Sequence, residues 1–487
     1  MKKNRMFFLL LFLCFAKTLI ASEIFVSPQG ANSNRGEINS PLKNIQNALM
    51  LAIAGDKIIL RAGIYKEEIN FPKSNLTLKN YPGELAILDG TGLTPGKIQE
   101  AMILIENKSD VTVEGLTIRN YQSKSRSIVP NAIRVEGAGK NLSILNNKIY
   151  GIKTNYTRKG GNAHAISVYG TQAPEALQNI RIENNEIFDL KLGSSEAVVV
   201  NGNVDGFVIK NNYIHNSNNI AIDAIGFEGS SPDSKYDQAR SGLIFGNVIH
   251  AVSSRGNPAY GNSVSAGGIY VDGGRDIIID SNTVYDSDIG VEIASEHRGK
   301  STSNVIVRNN VLSFNRMAGV AMGGYDSARG ITENCLIINN TFYKNNSEDL
   351  GGEIFLQFYT HNNVIKNNII VAGNYNKFFT NGDSSGNVGN VLDHNLYYSS
   401  NPKTASFEWK NLTYVGLATF QKSTNLDMHS LYADPLFENE SQGNFRPLSS
   451  SPAINKGENL GTVLGAIDRD SETRVQDGEV DLGAFEF

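Results

Sequence analysis

The chain has 487 residues, with 44 Lys and Arg against 49 Asp and Glu, long enough for a large core and, by length alone, for two or three domains. Residues 1–22 are expected to be a secretory signal peptide. Lys2, Lys3 and Arg5 precede an apolar run over residues 6–16, too short to span a bilayer, and small residues close it at Ala21 and Ser22. Its removal takes four basic residues and no acidic ones, leaving 40 against 49 and a net charge of −9. That balance excludes nucleic acid as a natural partner. The expectation is a secreted or periplasmic monomer with no membrane contact once the leader is cleaved. Cys335 is then the only cysteine, so no intramolecular disulfide is possible and stability rests on packing.

Past the leader, Ile45, Ala48, Leu49 and Ala52 have the spacing of one apolar helix face and predict a short helix. The rest of the chain is dominated by a repeat: a short β-branched strand, an Asn pair, and a second short strand. The second Asn of the pair falls at Asn147, Asn185, Asn212, Asn247, Asn282, Asn310, Asn340 and Asn368, a period of about 27–38 residues. Three strands of about five residues plus turns fill one such period. No coil of this kind buries its apolar face alone, but stacked coils share one continuous core. Asn tolerates left-handed backbone at a turn, and its amide can bond the Asn above and below. The fold class is therefore all-β, a parallel solenoid with a short N-terminal capping helix.

Within the repeat, three segments starting at Ala221, Gly268 and Gly290 share one pattern. Their alignment puts Asp223, Tyr270 and Glu292 in one column, with Asp272 two residues further along its own strand. Residues two apart face the same side of a strand, so these four point outward while Ile222, Ile269 and Val291 point inward. Extended over the coils, the column is Arg134, Ser167, Val199, Asp223, Tyr270, Glu292, Ala321 and Phe355. Stacked outward acids repel, so a metal ion, a shared proton or a substrate must offset their proximity. Two insertions, residues 226–242 and 251–267, flank the column and are expected to wall a cleft. They bring Glu228, Tyr236, Asp237, Arg240 and Tyr260 toward a substrate, and the next coils add Glu296, His297, Arg298, Tyr325 and Asp326. Neighbouring strands about 4.8 Å apart and same-face residues about 6.7 Å apart put Asp272 about 8 Å, Cα to Cα, from both Glu292 and Asp223. That suits the acid and base of an inverting glycosidase, whose carboxyls stand about 6.5–9.5 Å apart. Hard oxygens from Asp223, Asp272, Glu292 and Glu296 would equally suit Ca²⁺.

Residues 395–487 are expected to form the last coil and a loop-rich cap of the same domain, with residues 23–394 as the catalytic solenoid. Trp409, the only tryptophan, is expected to pack beneath that cap rather than stack on a sugar.

The entry segments around Ile24–Ser33 and residues 40–65, the Asn repeat and the endings Asp434-Pro-Leu-Phe437 and Asp481-Leu-Gly-Ala-Phe485 together resemble the right-handed parallel β-helix proteins of the pectate-lyase superfamily. The resemblance covers residues 23–487 and implies the fold; that fold hosts lyases, hydrolases, epimerases and adhesins. It favours a lyase that cleaves a uronic-acid polysaccharide of pectate or alginate type by β-elimination. Ca²⁺ would neutralise the substrate carboxylate, and Tyr270, His297, Arg298 or Lys300 would serve as base or charge partner. The chain lacks the closely spaced Asp cluster with a coil-mounted Lys of the calcium-dependent pectate lyases of this shape. Inverting hydrolysis by Asp272 with Glu292 or Asp223 is the alternative, and a non-catalytic glycan-binding solenoid is the third reading.

Overall fold

The computed structural model describes residues 21–382 and 386–487; the leader expected at residues 1–22 lies almost wholly outside them. Three long sheets run the length of the chain, of 16, 13 and 13 strands, and within each the solenoid strands pair in parallel with the strand one coil away. One coil passes through a strand of each sheet in turn, for instance Asn131–Gly137, Gly139–Leu145 and Lys148–Tyr150. The chain is a right-handed parallel β-helix.

Alternation along each strand builds the interior. Ile133, Ile166, Val198, Ile222, Ile269, Val291 and Val320 form one rung of fully buried β-branched side chains, each paired with the next across one coil. Each such side chain contributes about 1.5–3 kcal/mol by leaving water, and no coil could collect this alone. The helix α1 (Ile45–Leu51) covers the start of that core with Ile45, Ala48 and Leu49, and Ala52 is buried behind it.

The Asn pair divides its work between its two members. The first takes left-handed backbone, as at Asn146, Asn184, Asn211, Asn309, Asn339 and Asn367, where φ lies between 50° and 59°. The second is buried in the turn and joins a ladder. The Asn247 amide nitrogens of backbone and side chain both donate to Asn282 Oδ1 at 2.9 Å, and those of Asn282 donate to Asn310 Oδ1 at 2.8 and 3.0 Å. Side-chain nitrogens also donate to carbonyls of an adjoining strand, as Asn282 does to Ile244 at 2.9 Å. The ladder runs from Asn147 to Asn395, where Asp427 and Ser430 close it.

The C-terminal segment does more than finish the last coil. After Leu396–Tyr398, Ser406–Trp409 and α2 (Leu417–Thr424), the chain doubles back along the outside of the solenoid. Phe437, Phe445, Leu482 and Phe485 pack on Tyr343, Ile369 and Val371, while Arg474 reaches Asn309 Oδ1 at 2.8 Å. Trp409 is buried against the rings of Phe379 and Phe420. Cys335 is free and buried.

Candidate functional site

The outward column has the register expected from the sequence. Val199 pairs with Asp223, Asp223 with Tyr270, Tyr270 with Glu292, and Glu292 with Ala321. Asp272 pairs with Ala294 and so lies diagonal to Glu292. These side chains leave the sheet on the side away from the core, yet none is solvated: Asp223 is 2% exposed, Asp272 4%, Tyr270 5% and Glu292 8%. The two insertions fold over the column as a roof.

Each roof segment is pinned by a buried carboxylate. Asp288 accepts from the backbone nitrogens of Ser254, Ser265 and Ala266 at 2.8–3.1 Å. Asp237 accepts from those of Gly229 and Ser231 at 2.6 and 2.9 Å. Asn257 donates to the Gly193 and Asn218 carbonyls, both at 2.6 Å, which ties its loop to the neighbouring coils. Glu228 is held over the column by Asn201 Nδ2 at 3.0 Å.

The result is a cluster of six acids: Glu196, Asp223, Glu228, Asp272, Glu292 and Glu296. Burial, then the surrounding carboxylates, pushes Glu196, Asp223 and Asp272 well above the usual carboxylate range. Glu292 is pushed up to about 8 by burial and by Glu296. Glu296 is raised by burial, against the opposing pull of Arg329 and His297. Burial and neighbouring acids also raise Tyr270, and carry Tyr260 up to about 12. Backbone donors oppose the shift at two of these acids: the Glu296 N–H donates to Asp272 Oδ1 at 2.7 Å, and the Glu196 carboxyl is supported by its own backbone N–H. By contrast, Asp223 Oδ1, Asn201 Oδ1 and His297 Nε2 are buried without a hydrogen-bond partner. Unsatisfied buried polar atoms are costly, and several in one place make a site prepared for a ligand.

Of the residues expected at the site, Asp223, Tyr270, Asp272, Glu292, Glu296, His297, Glu228 and Tyr260 are brought together. Tyr325 and Asp326 lie at its rim with Arg329, whose guanidinium sits 4.3 Å over the Tyr325 ring and 3.5 Å from Asp326. Arg298 is exposed on the following turn. Three residues do not join. Asp237 is consumed in pinning its own loop, and Tyr236 takes the Lys235 ammonium over its ring at 5.2 Å. Arg240 belongs to a different sheet, bonded to Asn203 at 2.9 Å and paired with Asp205 at 3.3 Å. The expected calcium ligands also stand apart: no three of Asp223, Asp272, Glu292 and Glu296 bring ligand oxygens within 4.8 Å of one another.

Glu196 is the residue that strand alternation misses. Two positions before the inward Val198, it should face the core. The chain bends at Ala197, as it does one coil on at Ala221, and the residue before each bend turns outward. There Ile220 packs on Tyr270 and Ala294. Behind Glu196, its carbonyl accepts from Nδ1 of buried His164 at 2.9 Å, and burial lowers that imidazole to about 4. A surface concavity of about 650 Å³ lies on another sheet, around Phe207, Ser241 and Asp276. It holds no comparable cluster of ionisable groups, so the chemistry is assigned to the roofed acids.

Comparison with known proteins agrees with the coils. Residues 244–426 match the model of the right-handed β-helix region. The chain has the fold of the right-handed parallel β-helix proteins. Within them it belongs to the family of the uncharacterized protein YwoF of Bacillus subtilis (strain 168), 40% identical over 436 residues, which span 88% of this chain and 92% of YwoF. A shorter stretch of 93 residues is 37% identical to the pectate lyase PEL9 of Emericella nidulans, covering 17% of this chain and 23% of PEL9. Among solved structures, a complex of XylC with xylose superposes with a TM-score of 0.53 at 12% identity, over 96% of this chain and 98% of that one. That likeness is one of fold. No helix among the described residues is long and apolar enough to cross a membrane.

Proposed function

We propose that the chain is a secreted carbohydrate-active enzyme that hydrolyses glycosidic bonds with inversion, using the roofed acids. The observation that carries this reading is the diagonal placement of Asp272 and Glu292 on adjacent strands. It gives a Cα separation of about 8 Å, from which two carboxyls on one face can stand in the range of about 6.5–9.5 Å that leaves room for a water between acid and base. Glu292, held near 8, is protonated at neutral pH and donates to the leaving oxygen. Burial raises Asp272 as well, with the Glu296 N–H opposing that shift; once it loses its proton as substrate enters, it takes the proton of the attacking water. A dry cluster of carboxyl groups held largely in their neutral form offers little to balance the charge of a uronate, so the preferred substrate is a neutral or amino sugar. The exposed Tyr325 ring offers an apolar face to it at the rim.

The test is purified mature protein on a panel of neutral, amino-sugar and uronic-acid glycans, with reducing ends and ultraviolet absorbance followed together. Reducing ends without absorbance, unchanged by chelator and lost in Asp272→Asn, are the expected result. Absorbance rising with reducing ends would replace the proposal by β-elimination, which the stretch shared with the pectate lyase PEL9 favours. In that reading Ca²⁺ would bridge substrate and acids, and chelator would abolish turnover. No turnover on any glycan would leave a binding protein.

A further inference from the structure

Far along the solenoid from the roofed acids, a second set of ionisable side chains converges on the last turns. Asp393 ends the strand Val391–Asp393, His394 follows it, and His429 comes from the turn after α2. His429 Nδ1 lies 2.7 Å and His394 Nδ1 3.3 Å from Asp393 Oδ2, and all three ligand atoms fall within 4.8 Å of one another. Among the described residues, no other His, Cys, Asp or Glu trio does so. The two imidazoles stack with centroids 4.9 Å apart, each presenting Nδ1 to the same carboxylate. His394 Nδ1 is buried and has no hydrogen-bond partner. Asp393 is already fixed, because its Oδ1 accepts from the His429 backbone N–H at 2.8 Å.

His394 also stands where the repeat has something else. It occupies the left-handed position of the Asn pair, φ 51°, which six other coils fill with Asn. An imidazole is not needed for that backbone, since Asn adopts it readily. What the imidazole adds is a nitrogen ligand.

We propose that Asp393, His394 and His429 bind one first-row divalent transition ion of the zinc type, which clips the turn after α2 to the last coils. A tetrahedral ion with bonds of about 2.0–2.2 Å holds its ligands about 3.3–3.6 Å apart. The His394–Asp393 pair already has that spacing at 3.3 Å, and the His429–Asp393 pair, at 2.7 Å, needs to open by about 0.6 Å or more. The His429 side chain is 67% exposed and free to make that adjustment. Two imidazoles with one carboxylate select zinc-like ions over calcium or magnesium, which prefer oxygen ligands throughout. Glu458, 3.4 Å from His394 Nδ1, is held by Lys366 at 2.5 Å, so the fourth position is left to water.

The experiment is calorimetric titration of untagged, chelator-treated protein with Zn²⁺, with Ca²⁺ and Mg²⁺ as controls, alongside melting curves. The expected result is about one equivalent of Zn²⁺ bound, a Tm that rises with Zn²⁺ concentration, and no response to the controls. His429→Ala removes an exposed ligand, and His394→Asn restores the residue that other coils carry, so both variants keep the fold. Each should weaken Zn²⁺ at least about tenfold and remove the Tm response, as loss of one of three protein ligands requires. Wild type that binds no Zn²⁺ would overturn the proposal and leave an ordinary Asp–His ion pair. Binding equal in wild type and both variants would overturn it as well.

Discussion

Two stacks of buried polar side chains run along this solenoid, and they differ in one respect. In the Asn ladder every side chain both donates and accepts: Asn282 Oδ1 takes two N–H groups from Asn247, and its own nitrogen serves Ile244, Asp280 and Asn310. In the acid cluster, like-charged groups crowd together and Asp223 Oδ1 has no partner. A satisfied network stabilises and specifies a fold, whereas a half-satisfied one is a cost that selection removes unless something uses it. Polar burial alone does not separate structure from function. Hydrogen-bond completeness does.

The sharpest way to test that contrast is to change one member of each stack. Asp272→Asn is expected to lower turnover by about 10²–10⁴-fold, the usual contribution of a general base, with circular dichroism and Tm unaltered. Activity within a few-fold of wild type would remove the cluster from the mechanism. Next in size, Asn282→Ala strands the Asn247 amides and the Ile244 carbonyl inside the turn. Each unsatisfied buried group costs about 1–3 kcal/mol, so a denaturant midpoint well below wild type is expected.

The third prediction concerns pH and belongs to the acids alone. Glu292 has its proton-binding strength raised from the ordinary 4.5 to about 8. Its neutral form therefore contributes stability that is fully present below about pH 4.5 and is lost as the pH rises through 8. Glu196, Asp223 and Asp272 shift in the same direction. Stability, read as Tm, should fall between pH 5 and pH 8, by an amount on the order of a few kcal/mol at the upper end, and Glu292→Gln should flatten the curve. A Tm that climbed over this window would show that the cluster is compensated in some other way. Smallest in size and opposite in sign to the ladder variant, Asp223→Asn should stabilise the fold by about 1–2 kcal/mol while impairing activity, the trade expected of a strained site. Destabilisation instead would place Asp223 among the structural groups.

Much of this was legible in the sequence because both periodicities are short. The Asn period sets the coil, and strand alternation sets which side chains leave the sheet, so the column from Arg134 to Phe355 could be aligned from the sequence and is the one observed. Glu196 escaped because a bend at Ala197 breaks alternation at the strand start. Arg240 was misplaced for a related reason: proximity in sequence to a roof loop says nothing about which of three sheets the next strand enters.

The amino-acid sequence by itself determined the solenoid, its register and the outward direction of Asp223, Tyr270, Asp272 and Glu292, since each follows from local backbone preference and apolar alternation. Only the tertiary structure decided that these acids are dry rather than solvated, because the insertions at residues 226–242 and 251–267 fold back over them. It alone also brought His394 and His429 to one carboxylate, through a helix-bearing excursion of the chain between them. Burial and convergence are sums over distant segments, and no local pattern carries them.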